Sequence, residues 1–197
     1  MTQIAQKTAT YEDLLAVPEL LVAEILFGRL VTHPLFFPRH AATIGALLGV
    51  LGQPFLFGRD RPEAWILLYR PEVHLGPHVV VPDLAAWRRK RLTPFPEAAW
   101  IDTAPDWACE VLSPETEARD RGEKRTVYAK AGIRHLWLVD PRPQILETFE
   151  LKDGRWVLLD VFRDEAQVAA HPFPEIAFPL GLLWPFDVAP PVQDEIK

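Results

Sequence analysis

Trp107-Ala108-Cys109-Glu110-Val111-Leu112 decides the fold: it is an apolar run of strand length with a carboxylate inside it. Side chains alternate along a strand, so Glu110 and Leu112 share one face while Val111 points to the other. Upstream, Val79-Val80-Val81-Pro82-Asp83 repeats the theme, a β-branched run that ends in a carboxylate. Downstream, Asp120-Arg121-Gly122-Glu123-Lys124 lies on a helical segment, followed by strand-like runs at 135–140, 145–151 and 155–162. Strand, helix and strand in that order make this an α/β chain.

The helix is expected over 116–131, with Ser113 or Thr116 capping its start and Gly132 ending it in the left-handed conformation. At about 100° per residue, Asp120, Lys124, Val127, Tyr128 and Ala131 share a face, with Arg119, Arg125, Thr126 and Lys130 roughly opposite. Asp120 and Lys124 therefore sit on the apolar stripe that faces the sheet. Charges there are costly without partners.

Further elements can be read on either side. Tyr11 to Leu21 reads as a short helix with Thr10 as N-cap, and Glu24 to Val31 as a hairpin turning at Phe27-Gly28. Arg39 to Leu51 is a helix that Gly52 and Pro54 should stop. Alternating runs follow at 65–75 and 79–87, then a proline-dotted loop from Arg88 to Asp106. Residues 1–9 read as a tail and 10–197 as one domain, a mixed sheet flanked by helices, with an irregular C-terminal arm from Pro172.

At 197 residues, 49% hydrophobic and 24% charged, the chain supports one substantial core and is not a disordered type. No run reaches the roughly 18 apolar residues of a membrane helix, and the first residues lack the apolar centre of a signal peptide. The single cysteine, Cys109, excludes an internal disulfide and a cysteine-based zinc site, which makes the cytoplasm the default compartment. A net charge of −6 argues against non-specific coating of nucleic acid but not against a nuclease whose metal supplies local positive charge. Absent asparagine, 15 arginines against 6 lysines, and 20 prolines fit a GC-rich genome or selection against heat-labile residues.

Two carboxylates from neighbouring strands, Asp83 and Glu110, have the hard oxygen donors that Mg2+ (or Mn2+) takes, with a phosphate and waters completing the octahedron. Lys124 could then orient or help to deprotonate an attacking water. The plainer alternative is a pair of strand-end carboxylates plus an Asp120–Lys124 i,i+4 ion pair worth a few tenths of a kcal/mol.

These residues, in order and spacing, resemble the Uma-two family, a branch of the PD-(D/E)xK or restriction-endonuclease-like superfamily. The resemblance runs through Pro82-Asp83, Glu110-Val111-Leu112-Ser113-Pro114, Asp120, Lys124, Tyr128-Ala129-Lys130-Ala131-Gly132-Ile133 and His135-Leu136-Trp137-Leu138-Val139-Asp140-Pro141. Upstream it takes in Glu24, Gly28, Pro71 to Gly76, and Asp83 to Arg89, so that it covers most of residues 20–160. It implies a restriction-endonuclease-like fold and a metal-dependent endonuclease with Asp83, Glu110, Lys124, Glu24 and Asp120 in its site. The superfamily's usual lysine, two residues after the glutamate, is Leu112 here, and the resemblance implies that its role has moved to Lys124. Glu24 matches a family acid that is metal-linked or supports the ligands; its bland reading is a solvent-facing hairpin residue. His40 resembles a family histidine and reads as a structural hydrogen-bonder; Glu72 is a weaker candidate.

DNA is the expected partner, with RNA not excluded, no membrane, and a homodimer as many superfamily nucleases form. Arg88-Arg89-Lys90-Arg91 reads either as a solvated loop or as a phosphate contact beside the site. The competing class is a non-catalytic nucleic-acid- or protein-binding module on the same fold. A serine hydrolase is discarded, because Ser113 lacks the glycine-flanked turn that exposes a nucleophile.

Overall fold

The structure is a computed structural model that describes residues 8–34, 37–57 and 65–186, with the side chains of 53–57 left out. Most of the expected N-terminal tail and the end of the C-terminal arm lie outside the described residues. Thr10 caps α1 (Tyr11–Leu15) by a reciprocal box: its hydroxyl accepts from the Asp13 N–H, and the Asp13 carboxylate accepts from the Thr10 N–H. The helix stops short of Leu21, because Pro18 turns Val17 away from helical backbone. β1 (Leu21–Leu26) and β2 (Arg29–Pro34) form the expected hairpin. Phe27 and Gly28 both take positive φ, at 51° and 73°, as a two-residue hairpin turn requires.

α2 spans Pro38–Phe57, past Gly52 and Pro54, where the sequence points to a stop. Ile44, Leu47 and Leu51 lie fully or almost fully buried on its sheet-facing stripe. At about 1.5–3 kcal/mol each, that burial anchors the helix on the sheet up to Leu51.

Each of the two alternating runs divides between two sheets. β3 (Trp65–Tyr69) bends at Arg70, whose φ is 44°, into β4 (Val73–Leu75). β5 (His78–Val80) passes through Val81-Pro82-Asp83 into β6 (Leu84–Arg88). The two corners touch, the Arg70 N–H donating to the Asp83 carbonyl at 3.0 Å. β7 (Trp107–Val111) follows the long loop and leads into α3 (Glu117–Arg119), a π-helical turn over Asp120–Lys124, and α4 (Arg125–Lys130). Then come β8 (His135–Asp140), β9 (Ile145–Lys152), β10 (Arg155–Phe162) and the short pair β11 (Gln167–Val168) and β12 (Phe178–Pro179).

The larger sheet has the order β10-β9-β8-β7-β6-β3, antiparallel except for β7 and β8; the smaller is β2-β1-β5-β4. A parallel pair needs a crossover, which the helical segment 117–130 supplies. Its end is fixed by Gly132 at φ 74°, with the Ile133 N–H donating to the Tyr128 carbonyl. Side-chain alternation splits the core. Trp107, Cys109, Val111 and Trp137 pack with α2 and the C-terminal segment, while Ala108, Leu112, Leu136 and Leu138 pack with Val127, Tyr128 and the smaller sheet. Among the described residues, no helix is long and apolar enough to cross a membrane.

At the start of β8, His135 is buried, its Nδ1 without a hydrogen bond to any described residue and its ring stacked at 6.1 Å on His171. Burial, helped by Arg134 and His171, pushes its pKa down to about 4. The unfolded chain takes up that proton near pH 6.5, so stability is full above 6.5 and falls as pH drops towards 4. After allowing for solvent screening at this partly wetted ring, the loss is about 1–2 kcal/mol. Urea unfolding at pH 7 and pH 5 should show it, and His135→Gln should remove that part of the pH dependence. Equal pH dependence in the two proteins would refute it.

Candidate functional site

Asp83 occupies the corner where the chain crosses from the smaller sheet to the larger. Leu84 pairs with Cys109 and Ala85 with Ala108, so one step further along the ladder sets Asp83 beside Glu110. The Asp83 carboxylate is buried and engaged from several directions. Its Oδ2 accepts from the Val111 N–H at 2.9 Å and bonds His40 Nε2, from α2, at 2.9 Å; Oδ1 faces Arg70 Nε at 3.4 Å.

Glu110 projects to the opposite face of the sheet from its neighbours Cys109 and Val111, towards the helical crossover. Its Oε1 receives Lys124 Nζ at 2.8 Å and the Tyr128 hydroxyl. Lys124 is also 3.0 Å from Glu24 Oε1, 3.3 Å from the Val81 carbonyl and 3.9 Å from Asp120 Oδ1. Glu24, on β1, is fully buried, and its Oε1 accepts from the Val81 N–H at 2.8 Å. The structure therefore brings all five expected residues, Asp83, Glu110, Lys124, Glu24 and Asp120, to one end of the larger sheet. Lys124 is held chiefly by Glu110 and Glu24; Asp120, expected as its partner, stands further off.

Three carboxyls, those of Glu110, Glu24 and Asp120, lie within 3.9 Å of one ammonium. Burial pushes Glu110 well above the usual carboxylate range against the pull of Lys124, with Asp120, Asp83 and Glu24 adding to the rise. Burial likewise lifts Asp120 to about 6. Burial also works to raise Asp83, but the His40 bond and charge, Lys124 and the Val111 N–H outweigh it and hold this carboxyl below its ordinary value. Burial favours a neutral Lys124, but Glu110, Glu24 and Asp120 reverse that and keep it an ammonium. Glu110 and Asp120 are therefore the carboxyls of this cluster that most readily hold a proton.

The donor set fits a magnesium-type ion. Asp83 and Glu110 offer hard oxygens at adjacent ladder positions, and a surplus of buried carboxyls favours added positive charge. Magnesium is commonly held by one or two carboxylates with phosphate and water in its remaining positions. Among the described residues no group of three or more His, Cys, Asp and Glu side chains is placed to hold a metal ion.

Other expected residues fall elsewhere. Arg88-Arg89-Lys90-Arg91 lies at the far end of β6, roughly 16 Å along the strand from Asp83 at 3.3 Å per residue, not beside the site. Arg88 covers the Trp65 ring and Arg91 pairs with Asp106. Glu72 bonds Tyr11 and His74, apart from the carboxyl cluster. Ser113 is buried in a reciprocal turn with Thr116, each backbone N–H donating to the other hydroxyl at 3.3 Å. Sequence reasoning missed Arg70, Arg119 and the role of Tyr128. Only Tyr128 carried a signal, its i,i+4 spacing from Lys124.

The family model described as "Putative restriction endonuclease", Uma2, matches residues 8–181. No curated protein matches significantly. Among solved structures, one described as "a putative nuclease belonging to DUF820", from Anabaena variabilis, superposes with a TM-score of 0.73 at 23% identity, over 89% of this chain and 97% of its own. The mixed sheet with its crossover helix is thus the restriction-endonuclease-like fold.

Proposed function

The chain belongs to the Uma2 family, and on that footing we propose that it is a metal-dependent endonuclease that hydrolyses phosphodiester bonds in DNA. The observation that carries this reading is the convergence of Asp83, Glu110, Glu24 and Lys124, all buried, at one end of the sheet. Asp83 and Glu110 would hold Mg2+ or Mn2+. When bound, such an ion acidifies a water and offsets charge on the phosphoryl oxygens. The Val111 N–H and His40 fix the Asp83 carboxylate, and Tyr128 fixes that of Glu110. Lys124, kept charged by its acidic neighbours, can present a proton to a phosphoryl oxygen or orient the attacking water. A homodimer, cutting both strands, belongs to the same proposal, and light scattering tests it.

The test is cleavage of single- and double-stranded DNA and of RNA with Mg2+ or Mn2+, comparing wild type with Glu110→Gln. Metal-dependent cleavage of DNA that the variant loses supports the reading, and cleavage of RNA alone would shift the substrate. A wild type inert towards every form in both metals would sink it.

One observation favours the non-catalytic binding module. Both Asp83 oxygens and Glu110 Oε1 already meet donors of the protein. Calorimetry decides between the two: absence of Mn2+ binding supports the module, and binding that Glu110→Gln removes supports the nuclease. Tyr128→Phe, which deletes only the hydroxyl on Glu110, should weaken Mn2+ binding about 10–100-fold at a stability cost of only about 1–2 kcal/mol. Unchanged affinity would show that the hydroxyl does not orient a ligand.

A further inference from the structure

Arg119 stands apart from the other cations around the site. Arg121 meets Glu117 and Glu147, Arg142 meets Asp140 and Glu117, and Arg29 meets Glu123. Among the described residues Arg119 approaches only Glu24, with Nε 3.7 Å from Oε2, beyond hydrogen-bond reach. Its Nε and Nη2 are buried without a hydrogen bond to any described residue, and so is Glu24 Oε2. These two nitrogens form one edge of the guanidinium, the fork that matches a carboxylate with two parallel bonds. A fork and an acceptor therefore face each other, both unused.

The π-helical turn explains how Arg119 reaches Glu24. In uninterrupted α-helix Arg119 and Lys124, five residues apart, diverge by about 140°, which puts Arg119 on the outer face. The i→i+5 turn over Asp120–Lys124 winds more slowly and brings the two side chains to the same buried carboxylate.

Lys124 has three protons and four oxygen neighbours within 3.9 Å, so it is fully committed. To serve a phosphate or a water it must give up some of these. A metal would compensate Glu110, but Glu24 would remain as an unneutralised carboxylate without exposure to water. Resting on the nuclease reading, we propose that Arg119 is the reserve counter-ion of Glu24: it closes its fork on Oε2 as Lys124 turns to the substrate. Arg119 is then a positioning residue that acts through Glu24, and the π-turn is the device that places it.

The experiment is steady-state cleavage of a DNA substrate by full-length wild type, Arg119→Met, Arg119→Lys, Glu24→Gln and the double variant Glu24→Gln/Arg119→Met, with Mn2+ titrations and urea midpoints alongside. Arg119→Met should lower kcat about tenfold or more with KM and Mn2+ affinity close to wild type, and Arg119→Lys should recover part of the loss. In the Glu24→Gln background the same substitution should add almost nothing, since a neutral amide needs no counter-ion. Wild-type kcat with a lower urea midpoint would make Arg119 merely structural and overturn the proposal. So would an equal kcat loss in both backgrounds, which would mark a direct substrate contact. Should Arg119→Met not fold, wild-type kcat in Arg119→Gln overturns it. Wild type that cleaves nothing defeats the nuclease reading itself and this proposal with it.

Discussion

Lys124→Met is expected to reduce metal-dependent cleavage by about 10²–10⁴-fold and, at pH 8 without metal, to lower the unfolding free energy by about 3–5 kcal/mol. The stability loss follows from what Lys124 neutralises. Glu24 and Glu110 lie within 3.0 Å of its nitrogen and Asp120 within 3.9 Å, all three buried. Removing the ammonium leaves them facing one another at low dielectric. Two features make the effect specific to this cluster. Glu110 and Asp120 already have raised pKa values, so they relieve the repulsion by taking up protons, and the defect should shrink as pH falls from 8 to 5. Mn2+ should also stabilise the variant more than wild type, because in wild type the ion competes with an ammonium for Glu110. At a hundred times its Kd a bound ligand adds about 2.7 kcal/mol. Urea titrations with and without Mn2+ at the two pH values measure both effects. A defect that neither acid nor Mn2+ reduces would mean that Lys124 is not the counter-ion of these carboxyls.

Part of this cluster is legible in the amino-acid sequence because its signals are local. Strand alternation gives Glu110 its face, helical spacing gives Lys124 and Tyr128 theirs, and Gly132 marks the end of the helix. The Phe27-Gly28 turn and the strands at 135–140 and 155–162 are local too. What escapes depends on contacts distant in sequence or on irregular backbone. His40 meets Asp83 across 43 residues, and Arg70 does so from a left-handed corner that no pattern announces. Arg119 falls on the wrong face of a wheel drawn at α-helical pitch, which cannot anticipate a π-turn. The basic run after β6 is close to Asp83 in sequence, yet a strand carries it away from the site. Pro54 reads as a stop, yet α2 runs through it to Phe57.

Asp83 offers the second large effect, in the contrast between two substitutions. Asp83→Asn should lower cleavage by at least about 100-fold, since a neutral amide is a poor ligand for a hard cation. It should cost only about 1–2 kcal/mol, because an amide oxygen in the place of Oδ2 can still accept from the Val111 N–H and from His40 Nε2, and only the contact of Oδ1 with Arg70 is lost to the amide nitrogen. Asp83→Ala removes the acceptor of the Val111 N–H, the partner of His40 and the carboxylate beside Arg70 together, and should cost about 3–5 kcal/mol. The two variants thus separate chemistry from architecture: both are inactive, and only one is strongly destabilised. The pH dependence follows from the depressed pKa of Asp83. Its ionised form binds its partners, so its contribution is present above the unfolded value of about 4 and is lost as pH falls through the lower folded value. Wild type and Asp83→Asn should therefore differ most at neutral pH and converge in acid, as urea midpoints at pH 7 and pH 3 would show. A gap between them as wide at pH 3 as at pH 7 would mean that the carboxylate charge is not what holds this corner, and that His40 and the Val111 N–H are satisfied in some other way.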